Sequence, residues 1–104
     1  RKKFRESIFE SWGWKCMYCD EELTEHTATI DHIKPKVKGG HSTRSNMGAC
    51  CSKCNSRKGS QLVFDYFNDT HPCYSEAKAS KIKEWTDQHF IWKEKELLMI
   101  DQQH

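Results

Sequence analysis

Two Cys-x-x-Cys pairs, Cys16/Cys19 and Cys51/Cys54, constrain this chain more than any other feature. A two-residue gap lets both thiolates of a pair reach one metal ion. The pairs are separated by 31 residues, more than a simple zinc-ribbon loop and enough for a β-hairpin between them. Four thiolates around one tetrahedral ion leave no open coordination position, so the ion expected here, Zn²⁺, is structural. The chain has need of such a staple. Its 104 residues make a single small domain, 1–104, whose own apolar core is modest. Cys50 and Cys73 are left over, and Cys50 is a rival ligand beside Cys51.

The cysteines point to a reducing compartment. No apolar run approaches membrane-spanning length and no signal-peptide pattern is visible, so a cytoplasmic protein without a membrane partner is expected. In that setting thiolates bind metal more readily than they form disulfides.

Net charge is only +2, but its distribution is uneven. Between His32 and Phe64 stand Lys34, Lys36, Lys38, Arg44, Lys53, Arg57 and Lys58, with no Asp or Glu. The flanking thirds both carry an excess of acid. A local cationic field of this kind suits a polyphosphate ligand, whose affinity comes largely from neutralised phosphates; a solvated basic face explains the charge alone equally well.

Hydrophobic periodicity predicts a helix over residues 1–14, with Phe4, Ile8, Phe9 and Trp12 inward and Gly13 as its stop. Cys16 to Cys19 reads as a tight metal-binding knuckle. Residues 27–33, rich in β-branched side chains, read as a strand closed by Pro35, and Gly39-Gly40 as the loop turning back. A short return strand over 46–51 and a helix from Ser52 to about Gly59 follow. Ser75 caps a last helix to about residue 100, with Ile82, Trp85 and Trp92 on one face.

Within the cysteine frame the order is Asp31-His32, Gly39-Gly40, Asn46, then Cys51-x-x-Cys54-Asn55 with Lys58 three residues on. Over residues 16–59 this resembles the HNH endonuclease family in its ββα-metal form, in the zinc-stapled variety found among phage homing and restriction-type enzymes. The resemblance implies an α+β fold, a ββα-metal core with a structural four-cysteine zinc site flanked by N- and C-terminal helices. It also implies cleavage of double-stranded DNA to 5′-phosphate and 3′-hydroxyl ends, and a host-cell cytoplasm if the gene is phage-borne. Asn46 then holds the loop and so the base. Where other members carry His, this chain has Asn55, an H-N-N variant.

The chemistry of these residue types agrees. Phosphodiester hydrolysis needs a base, a cation for the developing charge and help for the leaving oxygen. His32 is the natural base near neutral pH. Asp31 and Asn55 offer hard oxygen ligands for one Mg²⁺ or Mn²⁺. Neighbours in a regular strand face opposite sides, so the strand is expected to end or bend at Asp31-His32. Lys58 is read as a phosphate contact. His41, Arg44 and Arg57 are candidate DNA contacts, for which simple exposure is an equal alternative. A zinc-stabilised nucleic-acid-binding module without catalysis and a ribonuclease are the competing readings, and oligomeric state is left open.

Overall fold

The computed structural model describes residues 2–86. Helix α1 (Lys2–Ser11) buries Ile8 and Phe9, and Trp12 just beyond it. Phe4, expected inside, lies in the first turn of the helix and is 42% exposed among the described residues. Gly13 adopts φ 65°, its N–H bonds Glu10 O and the Trp14 N–H bonds Phe9 O. Those two reversed bonds close the helix end, the role that Gly13 suggests in the sequence.

The knuckle follows at once. Asp20 N–H bonds Cys16 O and Cys16 N–H bonds Glu21 O, with Asp20 at φ 65°, so the turn is tight. Met17 N–H donates to Ala49 O, which lays the knuckle along the hairpin.

Strands β1 (Thr29–His32) and β2 (Met47–Cys50) pair antiparallel, with Thr29 opposite Cys50 and His32 opposite Met47. Both are shorter than the β-branched run suggested. All of β2 is buried, because the knuckle and α1 pack on it. The loop between the strands holds two short 3-10 turns and closes where Gly40 passes Lys34. A Cβ at Gly40 would lie 1.8 Å from the Lys34 carbonyl oxygen, so this approach is open only to glycine.

Helix α2 (Ser52–Lys58) starts on Cys51, whose Sγ accepts the Cys54 N–H, and stops at Gly59 with φ 53°. A single turn, α3 (Val63–Tyr66), comes next. It has no counterpart in the periodicity, since one turn carries no repeat, yet Phe67 after it is fully buried against Tyr18. Ser75 caps α4 (Glu76–Trp85) by accepting the Lys78 N–H at 3.1 Å. Ala79 and Ile82 of α4 are buried, and Trp85 stacks at 5.3 Å on Trp12. The expected continuation to residue 100, and Trp92 with it, lie outside the described residues. The α+β class and the two-strand core are as expected. No helix among the described residues is long and apolar enough to cross a membrane.

Candidate nuclease site and thiol cluster

The knuckle, the hairpin and α2 carry two separate candidate ligand groups. At one, the Sγ atoms of Cys16, Cys19, Cys51 and Cys54 all lie within 4.8 Å of one another, with Cys19 and Cys51 3.7 Å apart. A tetrahedral zinc with bonds of about 2.3 Å places its sulfurs roughly 3.8 Å apart, so the four residues fit such an ion. Cys50 is not among the converging four, and Cys73 is elsewhere. A thiol hydrogen bond from Cys50 pulls Cys16 down to about 4. Burial pushes Cys19 up to about 11 and Cys54 up as well. Crowded thiols oppose one another's ionisation, and a divalent cation relieves that opposition.

The other group surrounds an open cleft of about 270 Å³ lined by Asp31, His32 and Asn55, together with Pro35, Lys36, Val37 and Ser60. The strand ends here, as the alternation of faces had suggested. Both belong to β1, which ends at His32, and there Asp31 is buried while His32 is half-buried. The end of a strand lets two consecutive side chains border one opening.

Asn55 donates its amide N–H groups to Thr29 Oγ1 and Ile30 O, at 3.0 and 3.1 Å. Both of these bonds are made by Nδ2, and Asn55 lines the cleft. His32 Nε2 lies 3.0 Å from Ser42 Oγ. Burial first, then the positive charge of Lys36, hold the ring below its ordinary 6.5, with Asp31 pulling the other way. The imidazole is therefore neutral at pH 7 and able to accept a proton.

Asn46 is fully buried. Its Oδ1 accepts the Lys34 N–H at 2.8 Å, and its Nδ2 donates to Lys34 O at 3.0 Å and to His41 O at 2.9 Å. One amide thus braces both sides of the loop that carries Ser42 past His32.

Lys58 is placed differently from its reading as a phosphate contact, and Arg44 has partners inside the fold. The Lys58 side chain is 0% exposed, and its ammonium sits 3.1 Å from Asp31 Oδ1 and 2.9 Å from His32 O. A buried ammonium paired with a carboxylate is not offered to a phosphate. Arg44 is exposed, but its guanidinium donates to the hydroxyls of Ser7 and Ser11 and lies over the Trp85 ring, linking α1 to α4. Arg57 and His41 are exposed.

Two residues were not singled out by the sequence reasoning. Tyr18 donates its hydroxyl to Asp31 Oδ2 at 2.6 Å, and burial, reinforced by the Asp31 charge, keeps that phenol protonated. Ser42 meets His32 across ten residues. Nothing local marks either one. Tyr18 stands out only as the aromatic between the two cysteines of the first Cys-x-x-Cys pair.

A family model described as HNH endonuclease matches residues 16–67. The "CRISPR-associated endonuclease Cas9" of Actinomyces naeslundii is 36% identical over 55 residues, 52% of this chain and 5% of that protein. Its counterpart from Corynebacterium diphtheriae is 39% identical over 46 residues, 43% of this chain and 4% of that protein. The chain therefore spans only a small fraction of the length of these relatives. The crystal structure of the Type II-C Cas9 enzyme from Actinomyces naeslundii superposes with a TM-score of 0.59 at 22% identity, covering 80% of this chain and 12% of the other, which is a likeness of fold. The matched segment carries both cysteine pairs, Asp31, His32, Asn46 and Asn55, and on that match this chain belongs to the HNH endonuclease family.

Proposed function

We propose that this chain hydrolyses phosphodiester bonds in double-stranded DNA with one divalent ion, Mg²⁺ or Mn²⁺, and is stapled by a zinc ion on Cys16, Cys19, Cys51 and Cys54. The observation that carries the reading is the convergence of Asp31, His32 and Asn55 on one open cleft, against a closed thiol cluster elsewhere.

Asp31 and Asn55 would hold the divalent ion, two hard oxygens being too few for a two-ion clamp. Bound there, the ion supplies a positive charge for the developing phosphorane and the departing oxygen. His32 takes the proton of the attacking water. His32 Nε2 and Ser42 Oγ are within hydrogen-bond distance; with Nε2 as the donor of that pair, the Nδ1 lone pair would be the basic one. Asn46 keeps the loop that carries Ser42 in place. Lys36 at the cleft, with exposed Arg57 and His41, would attract the phosphate backbone. Attack in line with the 3′ oxygen leaves 5′-phosphate and 3′-hydroxyl ends.

A free-standing phage homing or restriction-type nuclease is one setting for this chemistry. In the Cas9 relatives the matched region is a small part of a long chain, so a segment of a larger enzyme is another. Supercoiled plasmid, linear duplex and single-stranded RNA incubated with Mg²⁺ or Mn²⁺, with and without chelator, test the reading. Duplex cleavage that needs the added ion and yields 5′-phosphate ends supports it. Binding without cleavage under every ion would leave a zinc-stabilised binding module, and preference for RNA would make the chain a ribonuclease.

A further inference from the structure

We infer that Tyr18 is a positioning residue for the cleft: its hydroxyl, with the Lys58 ammonium as second arm, clamps the Asp31 carboxylate in the orientation that accepts the divalent ion. The inference rests on the assignment of Asp31 as an ion ligand.

Asp31 is 2% exposed, and each carboxylate oxygen already has a partner, Tyr18 Oη at 2.6 Å from Oδ2 and Lys58 Nζ at 3.1 Å from Oδ1. A carboxylate has about four lone-pair sites, so each oxygen keeps a direction for a cation after these contacts are made. Lys58 also donates to the backbone oxygen of His32, so one ammonium holds two consecutive residues of β1. Rotation of the carboxylate away from this position would leave a buried phenol or ammonium unpaired, which is costly.

Tyr18 cannot follow such a rotation. It is fully buried, with its ring against Tyr66 and Phe67, both at 5.2 Å between centroids. Its backbone lies between Cys16 and Cys19, and its carbonyl accepts from Lys78 of α4 at 3.0 Å. The position of the hydroxyl is thus set by the thiol knuckle and by the turn through α3. If Tyr18 and Lys58 only satisfied a buried carboxylate, their loss would lower stability without changing the ion affinity of folded protein.

The zinc-loaded full chain is titrated with Mn²⁺ in the absence of nucleic acid, binding being followed by electron paramagnetic resonance. Tyr18→Phe keeps the ring and removes one oxygen. Its Mn²⁺ dissociation constant is expected to rise about tenfold or more, the usual effect of losing a partner of a metal ligand. Zinc content should stay at the wild-type value. Tyr74→Phe, an aromatic on the far side of Phe67, should bind Mn²⁺ as the wild type does. Equal Mn²⁺ affinity in Tyr18→Phe and wild type would overturn the clamp while leaving Asp31 a ligand. Equal affinity in Asp31→Asn and wild type would overturn the assignment beneath it. A wild-type experiment covers poor folding of the variant: with ¹³C-labelled Tyr and Asp, Mg²⁺ should shift Tyr18 Cζ and Asp31 Cγ at one midpoint. A shift of Asp31 with Tyr18 unmoved would also reject the clamp.

Discussion

The two candidate ligand groups meet at α2 and are built in opposite ways. At the thiol cluster the four donors are soft, they face one another, and all but Cys19 are buried. In the cleft the donors are a carboxylate, an amide oxygen and an imidazole around an opening of about 270 Å³. A closed set of four like ligands can saturate an ion and so do nothing but hold the chain together. A sparse, open set leaves room for water and a phosphate. The contrast teaches that α2 serves both: Cys51 and Cys54 at its start belong to the thiol cluster, and Asn55, the next residue, to the cleft.

The largest effect that sharpens this contrast is expected from Cys51→Ser. Without a full set of thiolates the metal's binding energy no longer supports folding, and most of the native structure should go, as read by circular dichroism and zinc content. Full zinc and an unchanged melting curve would mean that Cys50 or another ligand holds the ion.

His32→Ala should do the reverse. Fold, zinc and DNA affinity should persist while the cleavage rate falls by about two to four orders of magnitude, the usual worth of a general base. Wild-type turnover in that variant would remove His32 from the chemistry.

Asn46→Ala should fall between the two classes. It removes the amide that accepts the Lys34 N–H and donates to the carbonyls of Lys34 and His41, three part-buried hydrogen bonds worth about 0.5–1.5 kcal/mol each. Thermal denaturation should show a clear drop, with cleavage reduced and zinc retained; an unchanged melting temperature would rule out its bracing role.

The smallest effect is in pH. Burial holds the His32 pKa below its ordinary 6.5, and the proposed mechanism uses the neutral ring. Cleavage should therefore hold as pH falls from 7 to 6.5 and decline only below the lowered value, approaching tenfold per unit. An inflection above 6.5 in kcat/KM would contradict a neutral, desolvated base.

Much of this molecule is legible in short-range pattern. The Cys-x-x-Cys gaps, the Gly13 and Gly59 stops and the Ser75 cap are local devices, each needing only its chain neighbours, and each stands where the spacing put it. Phe4 and α3 were not legible, because burial depends on what packs over a turn and one turn has no period to detect.

In the proposed site, Asp31, His32, Asn46 and Asn55 were picked out by residue order, since the chemistry proposed for them belongs to the side chain itself. What each side chain touches was decided by the fold. Lys58 and Arg44 look alike in sequence, two cations in an acid-free stretch, yet one is sealed against Asp31 and the other is spread over Trp85. Tyr18 meets Asp31 across thirteen residues and Ser42 meets His32 across ten. Charge and chemistry are carried by each residue wherever it goes, but burial and partnership are properties of pairs, and those pairs form only when distant segments have packed.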